Sequence, residues 1–113
     1  MSFAEHSVAG VAILLWAADA SAPERLATPF FHAAAAAAME VPVELYFTAA
    51  SVHLLLPGVA AGLRASERVE KTIADNIREA QDMGARLFAC SDALHAQGIE
   101  PGQLMPGVQR GGA

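Results

Sequence analysis

The chain has 113 residues, the size of a single domain with one core, so we interpret residues 1–113 as one domain. Hydrophobic residues make up 54% of it, more than so small a chain can bury alone, which favours association into a homo-oligomer. The net charge of −5 argues against a nucleic acid or an anionic membrane as partner, since both attract basic proteins.

The first predicted element is a strand at residues 8–16, a continuous apolar run typical of a strand covered on both faces. The run could be mistaken for the core of a signal peptide. The residues before it include Glu5 and His6 but no Lys or Arg, whereas a signal peptide begins with basic residues. It is also too short to span a bilayer. We therefore expect a buried strand.

A helix over residues 21–39 is predicted next. It opens with a Ser, an early Pro and a Glu three residues after the Ser, the pattern of a helix start. Pro29 lies inside this span, so the helix is either kinked there or begins again at Thr28. The alanine block at residues 33–38 has strong helix propensity and allows close packing against a sheet or a neighbouring subunit.

A second strand is predicted at residues 41–47, which are rich in β-branched and aromatic side chains. The hydroxyls of Thr48 and Ser51 can cap a short helix at residues 52–56. That helix stops at a Pro-Gly pair, and the small residues that follow, 57–66, predict a loop.

The amphipathic pattern is strongest in the next predicted helix, which opens at Ser66 and ends at Gly84. Glu67 and Lys71 are spaced for an i,i+4 ion pair. Four apolar residues share one face of this helix: Val69, Ile73, Ile77 and Ala80.

A third strand is predicted at residues 85–90, followed by a short helix from Ser91 to about Gln97 and one more turn at residues 100–104. The order of strands and helices indicates the α/β class, with a mainly parallel sheet of four to five strands. We expect right-handed crossovers and helices on both faces, which makes a three-layer α/β/α domain.

Ligands of open parallel sheets bind beyond the carboxyl ends of the strands. Three loops meet that condition, at residues 17–21, 48–51 and 90–92. Cys90 is the only cysteine of the chain, which excludes an intrachain disulfide and is typical of a reducing compartment such as the cytoplasm. It is also the one strongly nucleophilic side chain in these loops.

The helix after Cys90 begins with unpaired backbone N–H groups, at Ser91, Asp92 and Ala93, whose partial positive charge favours an anionic sulfur. A thiolate there can attack sulfane sulfur or hold it as a persulfide. Asp92 would oppose this if it pointed at the sulfur, but we expect Ser91 or Asp92 to cap the helix instead. Thr48 and Ser51, at the neighbouring strand end, complete the predicted binding site. The alternative is that Cys90 is merely a small buried hydrophobe.

Other kinds of site have weaker support. The four histidines are scattered, and only one cysteine could join them, so no metal site is predicted. His53 lies near the end of the second strand and either helps to bind an anion or is a partly exposed helix residue. There is no glycine-rich phosphate loop, so no nucleotide cofactor is expected.

The chain also resembles the DsrE/DsrF-like family, which includes the sulfur-relay TusD-type proteins. The strand that ends in cysteine, with its short helix closed by glycine (residues 85–98), carries the resemblance. Three other segments support it: residues 19–24, the Leu-Tyr-Phe-Thr and Pro-Gly stretches within residues 45–58, and Gly-Val-Gln-Arg-Gly-Gly at residues 107–112. Family members usually continue with a final strand after this Gly-Gly, whereas this chain ends at Ala113.

The resemblance implies that Cys90 is a persulfide carrier and that the protein assembles as a trimer or hexamer. The resulting hypothesis is a cytoplasmic sulfur-carrier or sulfurtransferase-like protein that works between a donor and an acceptor protein without a metal or organic cofactor. Such a carrier can act stoichiometrically, so the sequence leaves open whether it is an enzyme. The rival hypothesis is a non-catalytic oligomeric subunit that binds a small ligand at the strand ends.

Overall fold

The computed structural model describes residues 9–111 of the chain. The described residues form four strands, β1 (Val11–Leu15), β2 (Val43–Phe47), β3 (Arg86–Cys90) and β4 (Val108–Gly111). All neighbouring strands are parallel, in the order β1-β2-β3-β4. The α-helices of this part are α1 (Ala27–Ala38), α2 (Ile73–Asp82) and α3 (Ser91–Ala96). Short 3-10 turns lie at Pro23–Arg25, Ala49–Leu55, Ala60–Gly62 and Pro101–Gln103. The predicted α/β class with a parallel sheet is confirmed.

The buried residues of the sheet all belong to one face. Along β1, β2 and β3 they alternate with more exposed residues, as the pleat requires. They form a single core with α1, α2, α3 and the 3-10 turn at Ala49–Leu55. The strand residues in this core are Leu15, Val43, Leu45, Phe47, Leu87 and Ala89.

Within residues 9–111, the helices therefore cover one face of the sheet, where the sequence led us to expect helices on both. The reason is the strand order. Each strand pairs with the next one along the chain, so successive right-handed crossovers step in the same direction and place their helices on the same side.

The first helix begins later than predicted. A 3-10 turn occupies Pro23–Arg25, and α1 starts at Ala27, close to the alternative start at Thr28. Pro29 lies in the first turn of α1, where its missing N–H costs no hydrogen bond. Ser21 caps no helix; its amide and hydroxyl donate to the carboxylate of Asp19, and these bonds lower the pKa of Asp19.

The start of α2 also differs from the prediction. The helix begins at Ile73 instead of near Ser66, because Thr72 and Asp75 form a reciprocal capping box. The Thr72 amide donates to Asp75 at 2.9 Å, and the Asp75 amide donates to the Thr72 hydroxyl at 3.1 Å. The backbone hydrogen bond from Thr72 is the main cause of a lowered pKa for the Asp75 carboxyl. The predicted helical pairing of Glu67 with Lys71 is wrong, since residues 67–72 are not helical.

The core face of α2 is otherwise as predicted. Ile73, Ile77 and Ala80 are buried, whereas Val69, which precedes the helix, is 40% exposed. Lys71 pairs with Glu79 of α2. Gly84 and Gly98 follow α2 and α3 with positive φ angles of 116° and 69°, the left-handed conformation that ends helices at glycine.

We expect Thr72→Ala to lower the free energy of unfolding by about 1 kcal/mol, because it removes the side-chain half of the capping box. The matched control is Ser66→Ala, at the residue where the sequence pattern predicted the helix start. The Ser66 hydroxyl is exposed and accepts one bond, from the Arg68 amide, so its loss should change stability by less than about 0.5 kcal/mol. Urea unfolding followed by circular dichroism compares the two. Equal losses would mean that Thr72 does not start the helix.

Candidate functional site

The carboxyl ends of the parallel strands meet at one edge of the sheet. Leu15, Phe47 and Cys90 are the last residues of β1, β2 and β3, and Cys90 pairs in register with Gly111 of β4. The three loops predicted to meet here therefore do follow neighbouring strand ends.

Thr48 and Ser51 fasten the second of these loops to the first strand. Both hydroxyls donate to the carbonyl of Leu15, at 3.1 and 2.9 Å, and the Thr48 amide donates to the same oxygen at 3.1 Å. Ser51 is fully buried and lies 2.6 Å from the Thr48 carbonyl as well. In this structure these hydroxyls connect β1 to the loop after β2, and neither lines a described cavity.

Cys90 is half-buried and unpaired, at the junction of β3 and α3. It follows Ala89, which is buried, so its side chain has the same parity along β3 as Arg86 and Phe88. It also packs against the margin of the core. A thiol in this position is partly accessible and is not a fully buried core residue.

Cys90 itself is the N-cap residue of α3, and no side chain caps this helix. The prediction that Ser91 or Asp92 would cap it is wrong. Both of these side chains are exposed, while Ala93 is buried. The chain turns from strand to helix without any residue between the two, which places the backbone of Ser91, Asp92 and Ala93 directly after the cysteine.

A cavity of about 400 Å³ lies beside this junction. Ser91 and His95 of α3 line it, together with Arg110 of β4 and the segment from Gly98 to Pro101. Arg110 alternates with Gln109 and Gly111, and it pairs in register with the buried Ala89, so it lies on the helix side of the sheet. Cys90 does not line this cavity.

The sequence did not predict that Arg110 and this cavity belong to the candidate site. The only signal was a basic residue in an otherwise apolar, glycine-rich segment after Pro106. Recognising it required knowing that residues 108–111 pair with β3, which local pattern does not reveal.

His53 makes a contact outside this cavity. The His53 ring nitrogen Nε2 lies 2.8 Å from the side-chain oxygen of Gln97, so it links the 3-10 turn after β2 to the end of α3. Within residues 9–111, no three His, Cys, Asp or Glu side chains are grouped as a metal site. None of the helices in this part of the chain is long and apolar enough to cross a membrane.

Comparisons with known proteins agree with this architecture. A family model described as the DsrE/DsrF-like family matches residues 11–113. The structure of MTH1491, a protein of unknown function from Methanobacterium thermoautotrophicum, is similar with a TM-score of 0.63 and 23% identity, over 92% of this chain and 82% of that one. The ychN protein from E. coli gives a TM-score of 0.61 and 19% identity, over 93% of this chain and 86% of that one. A comparison with curated proteins gives no significant match.

Proposed function

Because the chain belongs to the DsrE/DsrF-like family, a family associated with sulfur relay, we propose that it is an intracellular sulfur carrier in which Cys90 accepts and passes on sulfane sulfur as a persulfide. The observation that carries the proposal is the place of Cys90. The only cysteine of the chain lies half-buried at the carboxyl end of β3, the edge at which parallel α/β sheets bind their ligands.

The proposed reaction is an exchange of one sulfur atom between thiols. The Cys90 thiolate attacks the terminal sulfur of a donor persulfide, so that a new S–S bond forms and the S–S bond of the donor breaks. The electron pair of the broken bond leaves with the donor thiolate. An acceptor thiolate then attacks the terminal sulfur on Cys90, and the Cys90 thiolate is released. Neither step requires a metal or an organic cofactor.

Backbone amides at the start of α3 supply the proposed environment for the anionic sulfur. Ser91, Asp92 and Ala93 form the first turn, whose N–H groups have no partners within the helix. Thr48 and Ser51 act in the proposal by holding the neighbouring loop against β1. A substrate contact by either hydroxyl would require exchange of its bond to Leu15.

Intact-mass measurement tests the proposal directly. After incubation with a sulfane-sulfur donor, we expect the wild-type protein to gain about 32 Da, the mass of one sulfur atom, and to lose it on reduction. Cys90→Ser should gain nothing. Because Cys90 is only half-buried and makes no side-chain cap bond, this substitution should change the stability by less than about 1 kcal/mol.

Alkylation of the folded protein decides between a carrier and an inert cysteine. We expect iodoacetamide to modify native Cys90 at a rate within about tenfold of the urea-unfolded chain, since the side chain is partly accessible. No sulfur adduct, together with a thiol that reacts only after unfolding, would rule out the carrier.

The proposal includes partners and a location. The carrier would work in the cytoplasm between a donor and an acceptor protein, and it would self-associate as a homo-oligomer, as a trimer or hexamer by analogy with its family. Whether it turns over as a sulfurtransferase or acts once per sulfur depends on these partners.

A second candidate function has one specific observation in its favour. The cavity of about 400 Å³ has a volume suited to a small ligand, and Cys90 does not line it. A binding subunit would use Arg110 and His95 to hold an anionic group and would leave the cysteine idle. It predicts a ligand whose affinity falls with Arg110→Ala and is unchanged in Cys90→Ser, as measured by calorimetry.

A further inference from the structure

The face of the sheet opposite the helices carries apolar side chains that residues 9–111 leave uncovered. We call it the open face; its strand residues are Ala12, Leu14, Glu44, Tyr46, Arg86, Phe88, Cys90, Gln109 and Gly111. Leu14 is 58% exposed, and Trp16, which follows β1 with the same parity, is 72% exposed. Parallel sheets are ordinarily buried on both faces, so a surface of this kind marks a contact site.

The centre of the open face combines two stacked rings with one charge of each sign. The rings of Tyr46 and Phe88 lie 5.0 Å apart, with 16° between their planes. Residues in register across the strands form one level of the sheet. At the next level of the open face towards the amino ends of the strands, an Arg86 guanidinium nitrogen is 2.9 Å from a Glu44 carboxylate oxygen. The Arg86 guanidinium also lies 5.6 Å from the centre of the Phe88 ring. Carboxylate and guanidinium thus occupy the same level on neighbouring strands, because Glu44 and Arg86 are register partners.

We propose that a second copy of this chain covers the open face, related by a two-fold axis that runs along the strands between β2 and β3. Rotation about this axis exchanges β2 with β3 and preserves the level along the strands. Glu44 then faces the partner subunit's Arg86, and Tyr46 faces the partner subunit's Phe88. A single surface that carries both charges in this arrangement is complementary to itself, as an isologous interface requires.

A two-fold axis that lies parallel to the sheet but perpendicular to the strands lacks that charge complementarity. It places β2 over β2 and reverses the level, so Glu44 faces no cation. The strand-parallel axis also places β1 over β4. Trp16 then approaches the partner subunit's Gly111, where the absence of a side chain leaves room for the indole; an ideal Cβ on Gly111 would touch one Phe88 carbon at 3.7 Å.

The area of the open face determines how stable a dimer we expect. Four strands spaced about 4.8 Å apart, with five residues of about 3.3 Å each, span about 19 Å by 17 Å. This is smaller than the roughly 800 Å² that each partner contributes to a standard interface. The dimer is therefore reversible and concentration-dependent. A two-fold contact closes at two copies, so by itself it gives a dimer and not a trimer; of the assemblies proposed above it fits the hexamer, in which it would join two trimers. The proposal does not depend on sulfur chemistry at Cys90.

Charge exchange tests the arrangement. Glu44→Arg makes the centre of the face wholly positive, and Arg86→Glu makes it wholly negative. Each variant alone should dimerise at least about tenfold more weakly than wild type, because like charges oppose each other across the axis. A mixture of the two should form a heterodimer, and the double variant Glu44→Arg/Arg86→Glu should associate as wild type does. Sedimentation velocity over a concentration series measures all four cases.

The matched control is Lys71→Glu, which reverses one charge in the exposed ion pair with Glu79, away from the open face. It should leave the dimer unchanged. Trp16 is the only tryptophan of the chain, so its emission gives a second readout. The emission should shift to the blue as concentration rises in wild type, and not in Glu44→Arg alone.

The results of these experiments distinguish the open-face dimer from self-association through another surface and from sulfur transfer at Cys90. Association that is unaffected by either charge reversal, or singles that are not rescued by mixing, would overturn the open-face dimer while leaving self-association standing. A wild-type monomer at every concentration would overturn both, and a blue-shifted Trp16 in that monomer would mean that another part of the same chain covers the face. The sulfur adduct on Cys90 is measured by mass in separate dilute samples, because the dimer would cover the face on which Cys90 lies. Measured in the monomer, its presence or absence is independent of these results.

Discussion

Replacing Phe30 by alanine should lower the free energy of unfolding by about 3–5 kcal/mol. Phe30 is 1% exposed in α1, and its ring stacks on that of Phe47 in β2 with 6.1 Å between the centroids. Removing it loses the burial of a full aromatic side chain and leaves a cavity between the helix and the sheet. A domain of this size has only about 5–15 kcal/mol of stability, so the variant should be close to unfolding at room temperature.

The neighbouring residue provides the control for this prediction. Phe31 is the next residue of the same helix but is 52% exposed. Phe31→Ala should therefore change the stability by less than about 1 kcal/mol. Denaturant titrations that yield both the midpoint and the slope should be compared for the two variants. Similar losses at both positions would contradict an orientation of α1 that buries Phe30 and exposes Phe31.

Enlarging Ala33 to leucine should destabilise the protein by about 1–3 kcal/mol, because there is no free space to receive the added carbons. Ala33 is fully buried, on the side of α1 that faces α2 and the first two strands. The small side chain lets the helix lie close to its neighbours. A leucine there must push the helix outward or adopt a strained rotamer, and both outcomes lower the melting temperature.

Ala35, two residues further along, is the matched control. It belongs to the same alanine block but is exposed, and leucine is nearly as good a helix former as alanine. Ala35→Leu should therefore leave the melting temperature almost unchanged, as followed by circular dichroism. An equal loss in Ala33→Leu and Ala35→Leu would show that the block has no single packed face. A lower melting temperature in Ala35→Leu alone would mean that Ala35, and not Ala33, faces the core.

Much of the fold could be predicted where local pattern and tertiary structure agree. The run of β-branched and aromatic residues at 41–47 predicted β2, and the segment 85–90 predicted β3, both within two residues of the observed ends. The apolar spacing of Ile73, Ile77 and Ala80 identified the buried side of α2. Helix starts were predicted less well. Ser21 and Ser66 each resemble a capping residue in sequence, but the hydroxyl that caps α2 belongs to Thr72.

The candidate site was partly predictable for a similar reason. A cysteine directly between a strand and a helix is visible in the sequence, and the structure places Cys90 at that junction. The roles of Thr48 and Ser51 were not visible, because their hydroxyls bond to Leu15, more than thirty residues earlier. Arg110 lies at the site only because β4 pairs with β3.

The sequence by itself determined most local elements of this protein: the segments that form β1, β2 and β3, where glycine ends a helix, and that its single cysteine ends a strand. These depend on propensity, hydrophobic period and turn chemistry, which act between residues close together in the chain. Only the tertiary structure decided which of the equivalent alanines are buried, which hydroxyls connect the strands, and that one face of the sheet is left open within the described residues. Those outcomes follow from strand order and register, and contacts between distant segments set both.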